Sequence, residues 1–217
     1  MSSITFSLKR CLSILSFTCI LFTCQACLIA PGTSFQTPAT LAEGDYRFGV
    51  GGAAGFGIGT LPELGEIGGE GSIWLDFGYG ENTEARLLFM GQTWFTEEGH
   101  PWALGGMIEV KASNDPGDMA ILVGFSGVGF EKTYIFTPSI GGTFELFETP
   151  DLRLIGTIRA GFGIPIWSFQ VGAYLGVDIA LGSSFSLRPE IGQVCNVITD
   201  ESRVGGCTFG VGTAILF

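Results

Sequence analysis

Trp167-Ser168-Phe169-Gln170-Val171-Gly172-Ala173-Tyr174-Leu175-Gly176-Val177-Asp178-Ile179-Ala180-Leu181 alternates without a break. Every odd position is apolar, while the even positions are Ser, Gln, Gly, Tyr, Gly, Asp and Ala. A period of two puts successive side chains on opposite faces of a β-strand. The same region, taken from Ile164, is also the most apolar stretch beyond residue 30 and raises the alternative of a membrane helix. Gln170, Asp178, Gly172 and Gly176 interrupt it, and a spanning helix needs about 20 predominantly apolar residues. The alternation describes the segment better.

Outward from this run, the chain from Asp45 to Phe217 divides into ten alternating stretches separated by turn clusters, at about 45–59, 70–80, 83–95, 102–113, 118–130, 133–147, 152–164, 166–181, 184–195 and 206–217. In the first, the apolar parity holds Tyr46, Phe48, Val50, Ala54, Phe56 and Ile58; in the third, Ala85, Leu87, Phe89 and Phe95; in the seventh, Leu152, Leu154, Ile158, Ala160, Phe162 and Ile164. Strands of this length with dyad alternation are the pattern of a membrane-spanning barrel.

Charge provides an independent check, because the parity was set from apolar residues alone. Arg47, Asp76, Glu84, Arg86, Glu109, Lys111, Glu145, Arg153, Arg159, Asp178, Arg188 and Glu190 all fall on the opposite parity. A charge facing lipid near the bilayer midplane costs a few kcal/mol, so the segregation is what a membrane demands. A soluble barrel would alternate too, but its outer face would be rich in charge. Here charged residues make up only 14% of the chain, and glycine numbers 35 of 217. The non-apolar face is mostly Gly, Ser, Thr and Ala, which suits a narrow lumen. The expectation is an all-β fold: a closed, antiparallel, up-and-down transmembrane barrel over residues 45–217. Closure removes edges that lipid cannot satisfy.

Pro138 and Pro189 each remove a ladder donor, which predicts bulges or shortened strands there and leaves eight strands open as the alternative to ten. The connections at Gly80-Glu81-Asn82, Asn114-Asp115-Pro116-Gly117, Glu148-Thr149-Pro150-Asp151 and Gly182-Ser183 are short and would be periplasmic. Those at about 60–69, 96–101 and 196–205 are longer and would be external. Two further external connections, near Glu131-Lys132 and Pro165, are very short. Aromatic residues gather at the strand ends, with Tyr46, Phe77, Tyr79, Phe144, Phe185 and Phe217 on one side. Phe56, Phe95, Trp102, Tyr134, Phe136, Phe162 and Trp167 stand on the other.

The N-terminus reads as an export signal over residues 1–26, with Lys9 and Arg10 ahead of an apolar stretch. A retained anchor helix is the alternative, disfavoured by the short apolar run and Pro31-Gly32. Residues 27–44 lack periodicity and carry Pro31, Gly32 and Pro38, which predicts an extended tether. Of six cysteines, Cys11, Cys19 and Cys24 fall within the signal. Cys195 and Cys207 are equidistant from Glu201, so an even-register hairpin sets them opposite each other for a disulfide; two free thiols are the alternative. Cys27 is left over. Leu21-Phe22-Thr23-Cys24-Gln25-Ala26-Cys27 resembles the lipobox of bacterial lipoproteins, apart from Cys24 where that family prefers an aliphatic residue. The resemblance implies lipidation of Cys27; ordinary cleavage after Ala26 or Ala30 is the alternative.

At the other end, Phe209, Val211, Ile215 and terminal Phe217 resemble the C-terminal signal of bacterial outer-membrane β-barrel proteins. In that superfamily the final aromatic residue is read by the barrel-assembly machinery, which implies this machinery and outer-membrane lipids as partners. No subfamily follows.

Six basic side chains and about as many acids share the lumen, a balance that favours mutual pairing. The functional alternative is a narrow solute or ion path; a wide porin channel does not fit ten strands. Glu63, Glu66, Glu70, Glu97, Glu98, Asp200 and Glu201 are expected to form an acidic outer rim. It is read as solvated loops, with a divalent-cation link to anionic headgroups or a basic partner as the alternative. Enzyme chemistry finds little support. The single histidine, His100, lies in a loop, and Ser113, Ser126 and Ser168 have no neighbouring base in sequence. Gly49 to Gly59 continues the alternation rather than opening a helix as a phosphate loop does. No cofactor or metal is expected, and a net charge of −11 excludes nucleic acid as a partner. The reading is a structural or surface-interaction barrel. A narrow channel is the alternative, and an enzyme acting on envelope lipids is the third.

Overall fold

A computed structural model describes residues 34–59, 67–95, 102–115, 117–130, 133–164, 168–182, 185–198 and 206–217. The export signal, Cys27, His100, Trp167 and the three longer connections lie outside these residues. Ten strands follow one another: β1 Tyr46–Gly59, β2 Ile67–Gly80, β3 Thr83–Phe95, β4 Trp102–Ser113, β5 Met119–Phe130, β6 Thr133–Thr149, β7 Leu152–Gly163, β8 Ser168–Ala180, β9 Ser186–Ile198 and β10 Gly206–Leu216. Each pairs antiparallel with its sequence neighbours, and β1 pairs with β10 to close the barrel. The eight-strand alternative falls.

Two boundaries shift by three residues and the others by less. β2 begins at Ile67 rather than 70, because Gly68 and Gly69 continue the ladder opposite Gly55 and Ala54. Glu70 is therefore a strand residue whose carboxylate accepts from the Gln92 amide at 2.9 Å, not a residue of the outer rim. β9 runs on past Cys195 to Ile198.

The expected bulges at the prolines are absent. Pro138 pairs with Phe125 and Pro189 with Thr213, both in continuous register. What each proline does is interrupt the ladder on its other side. Pairing of β6 with β7 stops at Ser139↔Gly161 and resumes as an isolated bridge at Phe136↔Ile164. Pairing of β8 with β9 skips from Gly176↔Glu190 to Ile179↔Leu187 with the register unchanged. A missing N–H breaks one side of a strand's bonding and leaves the other whole. The register shifts occur instead at Gly78/Gly80 and Glu145/Phe147, next to short turns.

The outer surface is apolar. Phe48, Val50, Ile73, Leu75, Leu87, Phe89, Ile108, Ile121, Val123, Phe125, Ile140, Ile191 and Val211 all point outward and are exposed. Asp76, Glu84, Arg86, Glu109, Lys111, Arg188 and Glu190 point inward and are buried. A water-facing surface of this composition would be one continuous apolar patch, far beyond what soluble monomers show. The fold is that of a membrane-spanning barrel.

Candidate functional site

The lumen is filled by more than its wall. Residues 34–44 belong to no strand, yet Ser34, Phe35, Gln36 and Thr37 are buried. The segment expected to be a tether runs from the start of β1 across the short-turn mouth and up into the barrel. Its base is a turn in which Asp45 N–H donates to the Ala42 carbonyl at 3.0 Å and Gly44 N–H to the Gly78 carbonyl at 2.9 Å. Gly44 has φ 85°, a conformation that favours glycine. Gly78 is the point of closest approach, where a β-carbon would overlap the Ala42 carbonyl oxygen. Ala39 lies beside Gly117 of the β4–β5 turn, at the mouth.

From there the arm climbs through charged side chains that replace the hydrogen bonds a strand would supply. Glu84 accepts the Leu41 N–H at 3.0 Å. The Lys111 ammonium donates to the carbonyls of Thr37 (3.2 Å) and Ala39 (2.8 Å). The Gln36 amide donates to Glu109. Higher up, Glu190 accepts the N–H groups of both Ser34 and Phe35. Arg86 donates to the Ser34 and Phe35 carbonyls at 3.3 Å each, and Arg188 to the Phe35 carbonyl at 2.8 Å. Buried backbone groups must find partners, and the wall provides them by alternating acids and bases.

The Phe35 ring stacks on Trp74, with centroids 5.6 Å apart and planes within 9°. The Arg86 guanidinium lies 5.1 Å from the Trp74 ring centroid, within reach of the ring's electron-rich face. Leu88, Met90, Met107, Ala214 and Leu216 complete an apolar cluster inside the barrel.

The remaining capacity of the charges is spent on one another. Asp76, fully buried, holds Arg86 at 2.6 Å and Arg47 at 2.8 Å. Lys111 pairs with Glu84 at 2.8 Å, Arg159 with Glu109 at 2.7 Å and Arg188 with Asp178 at 3.2 Å. Arg153 is more exposed than the others and pairs with Glu148 at 2.6 Å near the β6–β7 turn, with Glu145 at 4.0 Å. Four buried polar atoms around the arm, Ser34 Oγ, Gln36 Oε1, Trp74 Nε1 and Arg188 Nε, make no hydrogen bond among the described residues. Among the described residues no group of three or more His, Cys, Asp or Glu is placed to hold a metal ion.

The wall is legible in the alternation of the sequence, and its occupant is not. Trp74, Leu88, Met90 and Met107 carry luminal parity although they are apolar, and an apolar patch inside a polar lumen needs an apolar filler. Phe35 is the aromatic residue of residues 27–44 that can supply it. The Cys195–Cys207 disulfide is formed, between residues directly opposite in the β9–β10 register. Phe217 closes the ring beyond β10, exchanging backbone hydrogen bonds with Phe48 and packing edge-on against Phe185 at 5.4 Å.

No protein-family model matches the chain, and no curated protein matches it in sequence. Solved structures that resemble it include the translocator domain of the autotransporter NalP from Neisseria meningitidis, 10% identical with a TM-score of 0.49, covering 79% of this chain and 88% of that one. The KdgM porin is 11% identical with a TM-score of 0.38, covering 76% and 97%. The outer-membrane channel DcaP of Acinetobacter baumannii is 11% identical with a TM-score of 0.36, covering 82% and 100%. These are likenesses of barrel architecture, too distant to carry activity or partners across.

Proposed function

We propose that the chain is a structural or surface-interaction barrel of the bacterial outer membrane whose lumen is sealed at rest by its own N-terminal arm. The observation that carries this reading is the arm itself, bonded through both backbone N–H and C=O groups to buried charges of β3, β4 and β9. Ten strands enclose a lumen little wider than side chains alone can fill, and an extended segment with a stacked Phe–Trp pair takes up that space. The export signal over residues 1–26 and lipidation at Cys27 belong to the same reading, as does recognition of Phe217 by the assembly machinery.

The test is conductance of the purified full-length protein in planar bilayers. A sealed barrel shows no steady current at modest voltage; a continuous open level in the wild-type protein overturns the reading. Crosslinking in intact envelopes followed by mass spectrometry identifies the partner of the surface loops.

A further inference from the structure

The arm is held in a way that lets it leave. We propose that residues 34–42 form a displaceable plug, and that its withdrawal toward the short-turn mouth opens a charge-lined path for small ions. The proposal rests on the sealed resting state and adds that the seal is reversible.

Four independent features of the structure point this way. First, the arm shares no ladder with the wall between Ser34 and Leu41. Its contacts among the described residues are side-chain hydrogen bonds and the packing of Phe35 on Trp74 and the apolar cluster, so withdrawal breaks no strand pairing. Second, Phe35 sits at φ 47°, a left-handed conformation in which a bulky residue is strained. The residue that anchors the plug is therefore the one held against its own backbone preference. Third, Ser34 Oγ, Gln36 Oε1, Trp74 Nε1 and Arg188 Nε are buried without a hydrogen-bond partner among the described residues, and each regains a partner when water replaces the arm. Fourth, Gly44, at φ 85°, stands at the junction with β1 and gives the arm a hinge.

The wall remains intact without the arm. Asp76 keeps Arg47 and Arg86, Glu84 keeps Lys111, Glu109 keeps Arg159 and Asp178 keeps Arg188. These pairs hold the lumen open as a polar passage in place of a collapsed apolar one, with both signs of charge along its sides. Glu190 has no cationic partner among the described ion pairs; it takes the two arm N–H groups in its place. It is the grip that loosens when the arm goes.

The experiment compares single-channel records of four full-length proteins: the wild type, Phe35→Ala, Glu190→Gln, and Phe35→Ala carrying Ala39→Cys with Gly117→Cys. A β-carbon at Gly117 stands 4.0 Å from that of Ala39, within the roughly 3.5–4.5 Å a disulfide spans. The strain a side chain meets at Gly117, whose φ is 90°, falls on the turn and not on a strand. Heat-modifiable migration confirms that each variant is folded. The wild type is expected to open rarely, and Phe35→Ala and Glu190→Gln to open roughly ten-fold more often, the change that loss of about 1.4 kcal/mol of holding free energy produces. Oxidation of the added cysteines is expected to return Phe35→Ala to the wild-type level and reduction to restore its openings. Phe35→Ala alone under reduction controls for the native disulfide. Folded Phe35→Ala and Glu190→Gln proteins as silent as the wild type overturn the plug's mobility and leave the seal standing. So does a crosslinked protein that opens as often as its reduced form. A steadily conducting wild type overturns the seal itself, and the plug with it.

Discussion

Asp76 shows what parity alone can and cannot reveal. Alternation assigns its carboxylate to the lumen, because Ile73, Leu75 and Phe77 claim the other face. Nothing in the spacing says that it bridges Arg47 and Arg86, which come from the strands on either side of it. That pairing depends on register, which turn type and loop length set in each hairpin, and the β2–β3 ladder shifts between Gly78 and Gly80. Breaking a buried pair leaves an uncompensated charge, at a cost of about 3–5 kcal/mol. Asp76→Ala is therefore expected to lower the unfolding free energy obtained from urea titration of the folded, heat-modifiable form by an amount of that order, and Asp76→Asn by less, since the amide oxygen still accepts from a guanidinium. A free energy unchanged in both would show that the two arginines find other partners. Val211 tests the opposite face. It lies at the middle of β10, between Ala54 and Ile191, and is 65% exposed. An arginine there meets lipid near the midplane, where the cost is about 2–4 kcal/mol. Val211→Arg is expected to reduce the folded fraction on unheated gels while Val211→Leu leaves it unchanged. Equal folding of the two would place that face away from lipid.

Among the elements, the strands were legible and the arm was not. A strand in a barrel repeats its environment every second residue, so even a weak preference accumulates along a dozen positions. The arm has no repeat: Ser34, Phe35, Gln36 and Thr37 are all buried in succession, polar and apolar alike. Their burial is decided by a cavity that exists only once ten strands have closed. The prolines failed as signals for a related reason. A missing donor predicts a distorted strand, but a barrel strand has two neighbours, and Pro138 and Pro189 each break only one ladder. The last hairpin behaved as its spacing implied, because Cys195 and Cys207 sit symmetrically about the connection and pair in one step of register. Closing a loop of about a dozen residues contributes up to roughly 3 kcal/mol in the chain-entropy model. In the Cys195→Ser, Cys207→Ser double variant, that stabilisation is expected to vanish from the last hairpin while the barrel stays folded. Protease should nick the segment between the two positions sooner than in the wild type. A wild-type protein whose two cysteines both take maleimide when denatured without reduction would contradict the bridge.

On the scale of the whole molecule, the two ends of the barrel are unlike, and this gives it a direction. At one end Gly80 and Thr83 pair directly across the β2–β3 turn, Asn114 and Asp118 are joined by a 2.6 Å hydrogen bond, and Pro150-Asp151 alone link β6 to β7. At the other end the β1–β2, β3–β4 and β9–β10 connections are longer. The arm passes through the short-turn mouth, and Phe217 finishes there beside Phe48. Outer-membrane barrels keep short turns on the periplasmic side and longer loops outside. Both the plug's base and the last residue are then expected to face the periplasm. Single cysteines at Asp118 and Glu98, in a background with the native cysteines replaced, put this to the test in intact cells. A membrane-impermeant maleimide should label the Glu98→Cys protein directly. It should reach the Asp118→Cys protein only after the outer membrane is permeabilised. The reverse pattern would turn the barrel over and direct the withdrawing arm to the outside of the cell. Labelling of both without permeabilisation would mean that the barrel does not span the membrane in a single orientation.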